Sequence, residues 1–305
     1  MRDVVIQTHN LTKKYGSFTA LENANMTIYQ GDIYGLIGRN GAGKTTAMKI
    51  LTGLTDQTSG EYEIFGKKSN EAAPVRNRVG CLIENPAFFE NMTAYQNLRY
   101  YCYQKGIADI KKIDEVLSFV GLEDAKGKKF KTFSLGMKQR LGIAFAILDN
   151  PDLVVLDEPI NGLDPIGIAE LRDTFHMLSR ERGMTLMISS HILSELYALA
   201  NRFLIIDNGR VLKELSKEEL DNECSRATVL HVSDVKGTAV LLEQNYGIRN
   251  FKVIDNTEIR VYDEHLERAR INRSLVQNNI DVSAIYETGI TLEEYFKKVI
   301  EEEGR

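Results

Sequence analysis

Residues 33–51 read IYGLIGRNGAGKTTAMKIL. The apolar run Ile33-Tyr34-Gly35-Leu36-Ile37 predicts a buried strand, and Lys44 to Leu54 predicts a helix. Between them, Gly38-Arg39-Asn40-Gly41-Ala42-Gly43-Lys44-Thr45 fits the spacing GxxxxGK[ST], set between strand and helix as that motif requires. Glycines let backbone N–H groups turn inward around a phosphate with no Cβ in the way. The helix N-terminus adds its positive dipole. Lys44 neutralises the outer phosphate oxygens, the Thr45 hydroxyl suits a bound Mg2+, and Thr46 extends the nucleotide contacts. The ligand this loop predicts is ATP with Mg2+.

Outward from the loop, residues 4 to 37 read as short strands and turns. Residues 86 to 150 are mostly helical in pattern. Val154-Val155-Leu156, Leu186 to Ser189 and Phe203 to Asp207 are further apolar strands, the last followed by a tight turn at Asn208-Gly209. Apolar strands alternating with helices predict an α/β fold with a parallel sheet covered on both faces. Leu153-Val154-Val155-Leu156-Asp157-Glu158 ends such a strand in two acids. At a strand's end the chain turns, so both acids can reach a phosphate site. Asp157 suits the metal, and Glu158 suits a general base that polarises the attacking water.

The pattern changes near Ser216, where Ser216-Lys217-Glu218-Glu219 has the form of a capping box. From Thr228 the elements read strand Val229–Val232, helix Thr238–Gln244, strand Phe251–Ile254, turn Asp255-Asn256, strand Glu258–Val261, helix Glu264–Gln277, strand Val282–Tyr286 and helix Leu292–Glu302. This βαββαβ order resembles a small α+β ferredoxin-like module. The expected division is 1–215 and 216–305, with a helical subdomain at about 86–150.

The 305 residues suit one large domain or two ordinary ones. With 43% hydrophobic and 27% charged residues the chain lies in the soluble globular range. A net charge of −5 gives no reason to expect nucleic acid as a partner. Three cysteines without CxxC spacing predict free thiols in a reducing compartment and no cysteine metal site. The start, MRDVVIQTHN, lacks the pattern of a secretion signal, and no apolar run approaches the ~18 residues needed to span a bilayer. The expectation is a cytoplasmic chain whose membrane role needs a partner.

Further stretches fall into order around these. Phe133-Ser134-Leu135-Gly136-Met137-Lys138-Gln139-Arg140 lies between the loop and the acid pair. Asn161-Gly162-Leu163-Asp164 follows the acids. His191 follows Met187-Ile188-Ser189-Ser190, and Tyr15 stands in Lys13-Lys14-Tyr15-Gly16. Together, over about residues 3 to 215, they resemble the ATPase subunit of an ATP-binding-cassette (ABC) transporter: a P-loop NTPase fold with an inserted helical subdomain. The resemblance implies that Tyr15 stacks on adenine, that Ser134 and Gly136 of the signature grip a γ-phosphate, that Asp164 belongs to the D-loop, and that His191 is the switch histidine. A base stacked on an aromatic ring is typically worth ~1–3 kcal/mol. Ser134 and Gly136 precede a helix predicted from Met137 to Leu148; a bare Ser-Leu-Gly there is ordinarily an N-cap. The stretch departs from the family's Leu-Ser-Gly-Gly-Gln at Phe133, Leu135 and Met137. His9, His176, His231 and His265 read as structural or surface residues.

One loop and one signature per chain imply a homodimer with ATP sandwiched between subunits, and a membrane permease on which it acts. The subunit would then sit on the inner face of the cell membrane.

Val79 to Ile83 is another apolar run. It closes on Glu84, and Asn85-Pro86 predicts a turn. In the family this strand ends in glutamine, which touches metal and water. A carboxylate only accepts hydrogen bonds, whereas an amide also donates. At about 5 Å and an effective dielectric near 20, repulsion from one phosphate charge is ~3 kcal/mol and attraction to a divalent cation ~6 kcal/mol. The resemblance therefore implies a catalytic and metal-contacting Glu84. With Asn161-Gly162-Leu163-Asp164-Pro165 and Ser-Leu-Gly-Met-Lys-Gln-Arg, it is similar to exporters of bacitracin and lantibiotics. Phe88, Phe89, Tyr95 and Tyr100-Tyr101 either form a groove for a permease helix or pack the helical subdomain. Competing readings are an exporter of another drug, lipid or ion; a translation ATPase, which carries two cassettes; a repair ATPase, which needs long coiled coils; and a binding module with dead sites, against which Lys44, Glu158 and His191 stand intact.

Overall fold

Val4 to Tyr29 builds two strands of 12 residues each, β1 (Val4–Tyr15) and β2 (Phe18–Tyr29), where several short ones were expected. Asn10 and Asn23 adopt left-handed backbone, at φ 50 and 47, and the β1–β2 register shifts around them. Asparagine tolerates that region, so the bulges break the alternation in sequence without ending the pairing. The computed structural model describes residues 2–84, 88–224, 227–263 and 267–303. The predicted turn at Asn85-Pro86, the start of the helix predicted from Glu264, and His265 lie outside the described residues.

The chain then runs β3 (Ile33–Ile37), α1 (Lys44–Leu51), β4 (Ser59–Ile64), β5 (Lys67–Lys68), β6 (Val79–Leu82), α2 (Ala94–Lys105), α3 (Lys111–Phe119), α4 (Leu135–Ile147), β7 (Leu153–Leu156), α5 (Pro165–Arg180), β8 (Thr185–Ser190), α6 (Leu193–Leu199), β9 (Arg202–Asp207) and β10 (Arg210–Ser216). Ten strands make one sheet in the order β5-β4-β1-β2-β10-β9-β3-β8-β7-β6. Strands β9, β3, β8, β7 and β6 are mutually parallel. Every residue of β3, β7 and β8 is buried, as a parallel sheet covered on both faces requires. The C-terminal ends of β3, β6, β7 and β8 therefore lie side by side. A sheet of this kind binds ligands at that edge.

Helices α2, α3 and α4 form the inserted helical region. A capping box joins Thr93 and Gln96 at the start of α2. Phe88 packs edge-on to Phe130, centroids 5.1 Å apart, and also meets Tyr101 and Phe145. Helix α4 approaches β6 closely: a Cβ on Gly80 would stand 1.9 Å from the Ala146 carbonyl oxygen, so only glycine fits.

The chain divides into two compact units, Met1–Lys217 with Val299–Arg305, and Glu218–Lys298. The second stretch begins within α7 (Lys217–Cys224). It continues through β11 (Ala227–Val232), α8 (Val235–Tyr246), β12 (Phe251–Val253), β13 (Glu258–Val261), α9 (Arg268–Gln277) and β14 (Val282–Thr288), and ends within α10 (Leu292–Glu303). Its four strands lie in the order β12-β13-β11-β14, all antiparallel, which is the split βαβ arrangement. Leu241 and Leu242 of α8 share a buried core with Ile271 and Leu275 of α9 and Leu230, Ile259 and Val261 of the sheet. Among the described residues no helix is long and apolar enough to cross a membrane. The three thiols are free, and burial pushes Cys224 up to about 11.

Candidate functional site

The loop from Gly38 to Gly43 links β3 to α1. Gly43 has φ 107, and a Cβ there would meet the Ala20 carbonyl oxygen at 2.6 Å. Only glycine takes that turn, and it starts α1 directly at Lys44. Lys44 is buried. Its Nζ donates to the carbonyl oxygens of Gly38 at 2.7 Å and Arg39 at 3.2 Å. The same ammonium lies 3.1 Å from Glu158 Oε1. That oxygen is buried and, beyond this ion pair, has no hydrogen-bond partner among the described residues. It keeps a lone pair for another donor.

The end of β7 is cross-braced. Ser189 of β8 donates its Oγ hydrogen to Asp157 Oδ1 at 2.6 Å, and its oxygen accepts the Glu158 N–H at 2.9 Å. The register of β7 on β8 (Leu156 beside Ile188) places this hydroxyl between the two acids. Thr45 Oγ1 donates to Asp157 Oδ2 at 2.7 Å. Glu158 turns at φ 48, and its Oε2 stands 2.8 Å from His191 Nδ1. When Nδ1–H donates to this carboxylate, His191 Nε2 is the nitrogen left for a ligand.

A cavity of about 310 Å3 is lined by Tyr15, Asn40, Lys44, Thr45, Thr46 and Glu158, together with Gly41, Ala42 and Gly43. Tyr15 is half exposed at the end of β1, with the Lys13 ammonium 4.9 Å from its ring centroid. Phe18, its partner across the turn, is exposed and lines the same cavity. Gly38 and Arg39 contribute carbonyls beneath Lys44 rather than wall.

Glu84 stands at the end of β6, left-handed at φ 62. Its Oε1 accepts from Lys49 Nζ in the last turn of α1 at 2.6 Å. That hydrogen bond holds the ammonium above the ordinary lysine range. The side chains are 32% and 65% exposed for Lys49 and Glu84, so the pair lies in water where the Lys44–Glu158 pair does not. Glu84 does not line the cavity.

Ser134, Gly136 and Asp164 line a separate groove of about 500 Å3 that shares no residue with the first cavity. Helix α4 begins at Leu135, two residues earlier than expected, with Ser134 as N-cap accepting from Met137 N at 3.3 Å. Gly136 is therefore a first-turn helical residue rather than a loop residue. Leu135, where the family has glycine, is helical too and needs no glycine freedom. Asp164 caps α5, accepting from Gly167 N at 2.8 Å. Arg140 pairs with Glu170 across the groove. The aromatic residues divide: Phe88 is buried, while Phe89 and Tyr100 are exposed and meet edge-on at 4.9 Å.

Sequence reasoning assigned no role to Ser189, Lys49 or Phe18. Ser189 carried a signal, a hydroxyl inside a wholly buried strand. Lys49 carried none, being an ordinary cation in a helix.

The phosphate loop, the braced acids and the histidine on adjoining parallel strands define a nucleotide-hydrolysing cassette. The ABC transporter family profile matches residues 21–161. The chain is 44% identical to the bacitracin transport ATP-binding protein BcrA of Bacillus licheniformis over 297 residues, 97% of each chain. It is 45% identical to the lantibiotic transport ATP-binding protein SrtF of Streptococcus pyogenes over 218 residues, 72% of this chain and 93% of that one. A dimeric post-hydrolysis structure of the ATP-binding cassette MJ0796 bound to ADP and Pi aligns with TM-score 0.64 and 25% identity, covering 70% of this chain and 98% of that one. The chain belongs to the ABC transporter family, as one of its ATP-binding subunits. It binds nucleotide and is an ATPase that energises an ABC transporter.

Proposed function

We propose that this ATPase powers export of a peptide antibiotic of the bacitracin or lantibiotic kind, so protecting the cell that makes the transporter. The 44% identity over 97% of both chains with a bacitracin transport subunit carries this reading. Residues 1–215 act as the cassette and 216–305 as an accessory domain.

The arrangement supports the following roles. Tyr15 receives the adenine face. Loop amides and Lys44 hold the phosphates, and Thr46 adds its contact. Thr45 Oγ1 and Asp157 Oδ2 are neighbouring oxygen donors, the chemistry Mg2+ takes. Mg2+ keeps several waters and phosphate ligands, so one carboxylate and one hydroxyl suffice; among the described residues there is no cluster of three or more His, Cys, Asp or Glu. When bound, the ion neutralises charge on the phosphate oxygens. Glu158, which lines the cavity, accepts the proton of the attacking water. His191 orients that carboxylate through Nδ1.

Ser134, Gly136 and Asp164 lie in a groove of their own, so a second copy brings them to this cavity: two chains sandwich two ATP molecules. A membrane permease docks on the exposed Phe89–Tyr100 region beyond Glu84, placing the subunit at the membrane's inner face. The test is expression of the chain with its permease in a sensitive bacterium. Resistance to bacitracin or a lantibiotic should rise, and Lys44→Ala should abolish it. Absence of protection against any peptide antibiotic, with ATP still hydrolysed by the complex, overturns the substrate class alone.

A further inference from the structure

Glu84 presents a difficulty the cassette must solve. A bare carboxylate at the end of β6, beside the β7 end that carries Asp157 and Glu158, adds negative charge near a site for a ligand with several, though it does not itself line the cavity. The structure places Lys49 Nζ 2.6 Å from its Oε1. Lys49 lies on α1, the same helix whose first residue, Lys44, pairs with Glu158. Thr45 of the same helix donates to Asp157 Oδ2 at 2.7 Å, so α1 touches the ends of both β6 and β7.

We propose that Lys49 is the positioning residue for Glu84, and that the two work as one unit at the edge of the nucleotide site. The carboxylate accepts and the ammonium donates, with no net charge. Together they offer what a single amide offers. Glu84 sits at φ 62, a backbone state costly for a non-glycine residue unless the surroundings hold it. Lys49 supplies that hold on the side chain. The proposal rests on the reading of the cavity as an ATP site.

A double-mutant cycle on the full-length chain tests it. The variants are Lys49→Met, Glu84→Gln, the pair together, and Lys49→Arg. The readouts are Kd for a non-hydrolysable ATP analogue with Mg2+, and kcat and KM for ATP. Lys49→Met strands the carboxylate and should weaken analogue binding about fivefold, the scale of an exposed ion pair. In the Glu84→Gln background the same change should cost less than about twofold, since no charge is left to neutralise. Lys49→Arg, which keeps charge and donors, should restore binding. Equal losses in both backgrounds would show Lys49 acting as an independent charge or a helix-stabilising residue, and would overturn the proposal. So would wild-type affinity in Lys49→Met. A wild-type chain that neither binds nor hydrolyses ATP would overturn the ATP reading itself.

Discussion

β6 and β7 are parallel neighbours that end alike. Each is apolar, each closes on a glutamate with left-handed backbone, and each glutamate is held by a lysine of α1. They differ in burial and bracing. Glu158 is 21% exposed and meets Lys44 and His191, with Ser189 bonded to its backbone. Glu84 is 65% exposed and meets Lys49 alone among the described contacts. The same local chemistry thus gives a braced, buried carboxylate at one strand end and an exposed one at the next. Burial strengthens an ion pair's electrostatics and removes the screening that weakens an exposed one.

The largest effect should come from Glu158. Glu158→Gln keeps shape and removes the proton acceptor, so kcat should fall by roughly 10²–10⁴ while ATP still binds and joins two subunits. Steady-state turnover and size-exclusion chromatography with ATP check both halves. A variant that hydrolyses at the wild-type rate removes Glu158 from the general-base role and erases the contrast with Glu84.

Ser189→Ala attacks the bracing. It leaves the Glu158 N–H and Asp157 Oδ1 without their shared partner in a buried strand. Losing hydrogen bonds to a charged group costs roughly 1.5–3 kcal/mol, so urea unfolding should show that loss, with slower hydrolysis beside it. Unchanged stability would mean the hydroxyl does not hold the acids together.

The phosphate loop and the acid pair could be read because each is a set of residue types at a spacing that local chemistry constrains, whereas His191 and Tyr15 were singled out only through the resemblance to ABC transporter ATPases. The order of the ten strands could not be read, since pairings such as β3 between β8 and β9 join residues more than 150 apart in sequence. The long β1 and β2 were hidden by bulges at Asn10 and Asn23. The start of α4 was hidden because the helix that Ser134 caps has glycine, a poor helix former, as its second residue. Lys49 stayed unreadable because its meaning depends on a partner 35 residues away.

Glu84→Gln should have a smaller effect than either change at β7, under about tenfold in kcat. The amide supplies acceptor and donor where the Lys49–Glu84 pair supplied them. Glu84→Ala removes both and should cost more than Glu84→Gln. Wild-type rates and Mg2+ dependence in both variants would remove Glu84 from the site.

The smallest effect separates the two strand ends by salt. Raising ionic strength from 0.1 M to 1 M shortens the screening length from about 10 Å to about 3 Å. The Lys49–Glu84 pair lies in water, so its coupling in the double-mutant cycle should shrink toward zero at high salt. Lys44 is buried against Glu158, and the kcat ratio between wild type and Glu158→Gln reports a missing proton acceptor rather than a screened charge. That ratio should stay constant within about twofold over the same range. Both ratios can be read from one salt series of the five proteins: wild type, Lys49→Met, Glu84→Gln, their double variant and Glu158→Gln. If the β6 coupling persists at 1 M salt, Lys49 and Glu84 are held by something stronger than an exposed ion pair, and the two strand ends are more alike than their burial implies.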